Sequence, residues 1–139
     1  MVIHVTNAQR TTPVNTTRMA RLARCAIRRL GIRGRGTLAI TFIDARRMRT
    51  LNRTFLSHDR TTDVLSFRYD GESTVGEILI APSVARHYAR THRMAYAQEL
   101  ARYLVHGLLH WQGHEDRTPR QQVRMRHQED WLLAQCGIR

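Results

Sequence analysis

The sequence predicts an α/β (α+β) fold: a single domain over residues 1–139, with a small mixed sheet of about four strands packed with about five helices. Three observations carry that expectation. Strand-like and helix-like runs alternate through the first eighty residues, and helical patterns fill the chain from Pro82 onward. The length of 139 residues suits one domain that closes a core without disulfides or oligomerisation. Apolar residues make up 42% and charged residues 24%, enough hydrophobic surface to offset chain entropy.

Val2-Ile3-His4-Val5 reads as a first strand, with His4 inside it. Pro13 and Asn15 then supply turn and helix-start residues. Met19, Leu22, Ala23, Ala26, Ile27 and Leu30 recur at helical steps with arginines on the other face, and Gly31 supplies a stop. Residues 37–43 are apolar or β-branched throughout and are expected to form a central strand buried on both faces. Asp44 can cap a short helix running to about Phe55. A polar loop, 57–62, leads into a strand at 63–67, and a second strand follows at 76–81. The turn Asp70-Gly71-Glu72-Ser73 between them suits a hairpin or a near-neighbour pair. Helices are expected from Pro82 to about His92, from Ala95 to about Gln112 after a break near Arg93, and from Pro119 to Gln135.

The formal net charge is +12, a surface field that concentrates polyanions, so nucleic acid is the favoured partner class. All 23 basic residues are arginine, a bias that codon usage explains as readily as phosphate recognition does. Cys25 and Cys136 have no Cys-x-x-Cys spacing, so they argue for neither a thiolate zinc site nor a redox motif and are expected to be reduced and buried. No apolar run approaches the roughly 18 residues of a membrane span, and a secretory signal pattern is missing, so the cytoplasm is the expected compartment. Trp111 and Trp131 are expected to pack inside amphipathic helices rather than to stack on bases, and His58 and His127 to lie on the surface.

The chemistry concentrates in His106-Gly107-Leu108-Leu109-His110-Trp111-Gln112-Gly113-His114-Glu115-Asp116, which holds three of the eight histidines beside two carboxylates. Histidines four residues apart on a helix share a face, the spacing that lets two imidazoles hold one tetrahedral zinc ion at roughly 2.0–2.1 Å. Gly113 permits the turn that brings a third ligand back. Asp116 is the favoured third ligand and His114 the competitor. His114 lies four residues past His110, which would need the helix to continue through the glycine. Peptide-cutting zinc hydrolases of this pattern carry a glutamate directly after the first histidine; that place is Gly107 here, which disfavours a peptidase.

His-Gly-Leu-Leu-His followed by Gly113 resembles the signature of the YbeY family of rRNA-maturation endoribonucleases. Leu51-Asn52 with Thr62-Asp63-Val64-Leu65-Ser66-Phe67 is similar to that family's second motif, and Gly76-Glu77-Ile78-Leu79-Ile80-Ala81-Pro82 to its third, together spanning most of residues 38 to 133. The resemblance implies a zinc-dependent, single-strand-specific endoribonuclease acting on the 3′ end of 16S rRNA and in ribosome quality control. It also implies one zinc ion per chain on His106, His110 and Asp116 as metal-binding and catalytic residues, with rRNA and the small ribosomal subunit as partners. Two positions depart from the family pattern. Asp116 stands where the family usually has histidine, a tolerable change that makes a zinc-bound water less acidic. Leu56 stands where the family typically has an arginine credited with contacting the RNA phosphate or assisting its cleavage; Arg53 and Arg60 flank the position.

With three protein ligands a zinc ion keeps one position open for a water and polarises the scissile phosphate. Asp59, Asp63, Glu77 and Glu115 are candidates for a general base, with Asp63 also readable as a cap or anchor of its strand and Glu77 as a plain edge-strand acid; none is assigned. The competing reading from another class is a non-catalytic rRNA-binding assembly factor with a structural zinc, which a fourth protein ligand at His114 or Glu115 would favour. A third reading is a metal hydrolase acting on another phosphoester.

Overall fold

A computed structural model of the chain describes residues 1–55, 64–69 and 74–138. The elements follow in the order β1 (Val2–Asn7), α1 (Thr16–Arg29), β2 (Gly36–Phe42), α2 (Ala45–Phe55), β3 (Val64–Tyr69), β4 (Thr74–Ile80), α3 (Pro82–Thr91), α4 (Tyr96–Trp111) and α5 (Pro119–Gln135). This is the expected α+β order, with element ends shifted by a few residues. The loop at 57–62 and the turn at 70–73, with Leu56, His58, Asp59, Arg60 and Asp63, lie outside the described residues.

Local chemistry accounts for the helix ends. Asn15 Oδ1 accepts from the Arg18 N–H at 3.0 Å to start α1, and Asp44 Oδ1 accepts from the Arg47 N–H at 2.7 Å to start α2. Between α3 and α4, Arg93 adopts φ 53°, the left-handed conformation that stops one helix before the next begins.

The strand order is β1-β2-β4-β3. β1 pairs parallel with β2, β2 parallel with β4, and β3 antiparallel with β4, in a register that sets Tyr69 opposite Val75 and Val64 opposite Ile80. The parallel pairs need crossovers, and helices supply them. One face of the sheet carries the main core. There Leu38, Ile40 and Phe42 of β2 and Ile78 and Ile80 of β4 pack with the apolar stripes of α1, α4 and α5. On the other face Ile43, Met48, Leu65, Leu79 and Ala81 form a smaller cluster under α2 and the start of α3. Burial of β2 on both faces was expected from its unbroken apolar run; instead Ala39 and Thr41 remain half-exposed, because the second cluster covers only one end of that face. Glu77 is likewise not an edge-strand acid: β4 is an interior strand, and Glu77 lies opposite Ala39 and Phe67 on the more open face.

Two further expectations are corrected. Cys25 on α1 and Cys136 at the C-cap of α5 are disulfide-bonded to each other, with Cα atoms 5.9 Å apart, and both are half-buried. Their 111-residue separation gave no sign that the ends of α1 and α5 lie side by side. Trp111 is buried as expected, but Trp131 is 51% exposed, because the α5 face that carries it has no partner element.

α4 is the central helix, in contact with β3, β4, α1, α3 and α5. Its approach to the sheet depends on Gly107. A Cβ there would lie 2.8 Å from both Ile78 Cγ2 and Val64 Cγ1, and Ser66 Oγ donates to the Gly107 carbonyl at 2.8 Å. Both obstructing atoms belong to stiff β-branched side chains, so α4 itself must move outward to admit a methyl group. Gly107→Ala is therefore expected to lower the urea-unfolding free energy by about 1–3 kcal/mol, and an unchanged midpoint would show that the helix–sheet contact is looser than described.

Candidate metal centre

α4 presents Arg102, His106 and His110 at four-residue steps along one edge, while Leu100, Leu104, Val105, Leu108 and Leu109 point inward. The helix ends in a Schellman motif. Gly113, at φ 96°, donates its N–H to the His110 carbonyl at 2.9 Å, and the His114 N–H reaches the Leu109 carbonyl at 3.0 Å. Five residues on, Thr118 and Gln121 form a capping box that starts α5, and the Arg117 N–H also donates to Gln121 Oε1, at 3.0 Å. The short segment carrying Asp116 is thus pinned at both ends and folds its carboxylate back over the last turns of α4.

Two imidazole nitrogens and one carboxylate converge there. Asp116 Oδ2 lies 3.5 Å from His106 Nε2, and Asp116 Oδ1 lies 3.4 Å from His110 Nε2. Donor atoms of the three residues all fall within 4.8 Å of one another. Tetrahedral zinc with bonds of roughly 2.0–2.1 Å separates its ligand atoms by about 3.3–3.4 Å, so the donors need to move little to close on an ion. The rings of His106 and His110 stand nearly perpendicular, at 82° with centroids 4.4 Å apart. All three side chains are about one-third exposed, which leaves the open side of the group facing solvent. Among the described residues His114 and Glu115 stay outside this group; the His114 backbone is committed to the helix end, and the Glu115 carboxylate reaches outward to Arg117 at 4.0 Å.

Two residues that the sequence reading missed complete the arrangement. His106 Nδ1 lies 2.6 Å from Glu129 Oε2, a contact in which the imidazole N–H donates and its Nε2 is left free to bind a metal. The Glu129 side chain is only 6% exposed, a costly position for a carboxylate unless paired. Arg102 pairs it, donating from one guanidinium nitrogen to Glu129 at 3.0 Å and from the other to Asp130 at 2.8 Å. Burial works against the Arg102 charge, but the hydrogen bonds to Asp130 and Glu129 outweigh it and raise its pKa. A signal for both was present: Glu129 breaks the apolar stripe Met125, Leu132 and Leu133 of α5, and Arg102 precedes His106 by one helical turn.

Burial, and then the neighbouring His106, lower the His110 pKa below the ordinary 6.5, with Asp116 opposing in part. The shift favours the neutral imidazole, the form that can serve as a metal ligand. Of the other candidates, Glu77 lies on the sheet face away from α4, and Arg53 is an exposed residue of α2.

Fold and site together define a small α+β domain with a three-residue group able to hold a metal ion where one helix ends. A family model described as Endoribonuclease YbeY matches residues 4–137. The chain is 37% identical over 108 residues to an Endoribonuclease YbeY of Myxococcus xanthus, covering 73% of this chain and 37% of that protein. It is 34% identical over 123 residues to one of Rhodopirellula baltica, covering 84% and 63%. To one of Flavobacterium psychrophilum it is 33% identical over 99 residues, covering 70% and 71%. It thus spans less than two-thirds of the length of the first two. The solution structure of TM1509 from Thermotoga maritima shares the fold, with a TM-score of 0.63 at 20% identity over 97% of this chain and 89% of that one. The chain belongs to the YbeY family. No helix among the described residues is long and apolar enough to cross a membrane.

Proposed function

We propose that the chain is a zinc-dependent, single-strand-specific endoribonuclease of the cytoplasm. In this reading it acts with the small ribosomal subunit in rRNA maturation, at the 3′ end of 16S rRNA, and in ribosome quality control. The convergence of His106, His110 and Asp116 carries the proposal. Two imidazoles and one carboxylate are a donor set suited to zinc, and three ligands leave one position for substrate or water. A zinc ion held by these three residues would supply a Lewis acid for the phosphodiester and would lower the pKa of a water nucleophile.

The chain's own residues do the rest. His106 and His110 are fixed by α4, Asp116 by the capped turn, and Glu129 keeps His106 in one orientation and one tautomer. The net charge of +12 draws a polyanion to the surface, and the open side of the group admits a phosphate of an unpaired strand more readily than one inside a rigid duplex. The names of the relatives, all endoribonucleases, agree with this reading. Gly107 leaves the place of a peptidase's glutamate empty, and the close sheet contact explains why that place holds no side chain.

Chelation tests the proposal. Removing metal with a chelator is expected to abolish cleavage of single-stranded rRNA fragments, with activity restored by about one equivalent of zinc per chain and duplex RNA cut much more slowly. Cleavage that survives complete metal removal would refute the metal centre. Zinc retained with no cleavage under any condition would favour the non-catalytic assembly factor, and equal turnover of generic diesters would favour a broader phosphoesterase.

A further inference from the structure

The outer face of α5 is used by neither the core nor the metal centre. Arg120, Val123, Arg124, His127, Gln128 and Trp131 line an open concavity along it. Their spacing of three and four residues puts them in one stripe, and the eleven helical steps from Arg120 to Trp131 span roughly 16 Å at about 1.5 Å per step. Val123 is 59% exposed and Trp131 51% exposed. A half-exposed indole in an apolar and basic setting is the composition that binds bases by their faces and phosphates by their charge.

The charge pattern selects the occupant. No acid lines the stripe, and Arg120 and Arg124 make no ion pair among the described residues. The two carboxylates of α5, Glu129 and Asp130, are both held by Arg102. The face therefore complements a polyanion that also offers flat apolar groups. Its position also bears on the site: Arg124 and Gln128 line a second concavity with Gly113, His114 and Glu115, the segment that leads to Asp116.

We propose that this face of α5 docks single-stranded RNA, with Trp131 stacking on a base and Arg120 and Arg124 contacting phosphates on the way to the metal centre. The inference rests on the endoribonuclease reading for its ligand class but is tested by binding, not turnover. Stopped-flow anisotropy of a fluorescein-labelled twelve-nucleotide oligouridylate, with the full chain as purified, reads association before cleavage. Trp131→Ala is expected to weaken binding roughly tenfold and Trp131→Phe much less, as for one stacked base. The double variant Arg120→Ala and Arg124→Ala should reduce the slope of log affinity against log salt by about 1.4, two contacts at roughly 0.7 each. Thermal unfolding and zinc content report that these exposed substitutions leave the fold in place. Affinities and salt slopes equal to wild type would overturn the proposal. So would a dimer seen in sedimentation that Trp131→Ala dissociates while RNA binding is unchanged, which would make the face an interface between copies. Loss of all cleavage with these binding effects intact would sink the nuclease reading and leave this surface standing.

Discussion

His110→Ala and Asp116→Ala are each expected to lose zinc affinity by on the order of a hundredfold or more, and RNA cleavage with it. The magnitude follows from the roughly 10–16 kcal/mol of a four-ligand structural zinc site, of which one ligand accounts for a few kcal/mol. The two variants differ in an informative way. His110 is held in the last turn of α4, so its loss leaves two donors and an unaltered backbone. Asp116 supplies both carboxylate oxygens to the group, one toward each histidine, so its loss also removes the charge that draws a cation between them. Asp116→His separates charge from ligation. A third imidazole should keep zinc bound, and the greater positive charge it leaves on the ion should move the acidic limb of the pH–rate profile downward. Elemental analysis of the purified variants and competition with a chromogenic chelator measure the affinities. Wild-type zinc content in Asp116→Ala would remove Asp116 from the ligand set.

The parts of this molecule that were legible in the sequence are those set by local rules. The α1 stripe, the Asp44 cap, the Gly113 turn and the His106–His110 pair each depend on residues a few positions apart, where periodicity and backbone sterics act directly. What escaped depends on which elements meet. Glu129 reads as one more polar residue of α5 until α5 lies beside α4 and sets it against His106. Cys25 and Cys136 pair only because the ends of α1 and α5 are adjacent, and Glu77 changes from edge to interior with the β1-β2-β4-β3 order. Trp131 is exposed for the same reason, since an amphipathic pattern shows that a helix has a buried face but not whether a second face finds a partner. Gly107 shows both limits at once. Its sequence position argues against a peptidase, while the reason for a glycine is a contact with Val64 and Ile78 that no local pattern encodes.

Glu129 is expected to act as a positioning residue, and Glu129→Ala should weaken zinc binding by about 10–100-fold, the usual cost of losing an outer partner of a metal-binding histidine. The buried carboxylate does two things that separate variants can distinguish. It accepts the His106 Nδ1 proton at 2.6 Å, which fixes the tautomer that frees Nε2, and it balances Arg102 in a poorly hydrated pocket. Glu129→Gln keeps an oxygen acceptor for the imidazole but removes the negative charge, so it should retain much of the zinc affinity while losing stability through the weakened Arg102 contact. Glu129→Ala loses both. A merely structural role predicts a different outcome, in which the two variants unfold at equally reduced temperature while their folded fractions bind zinc as tightly as wild type. Thermal unfolding together with chelator competition separates the two, because orientation of His106 is read only by the metal affinity. Equal zinc affinity in wild type and Glu129→Ala would show that the α4 backbone alone suffices to aim His106.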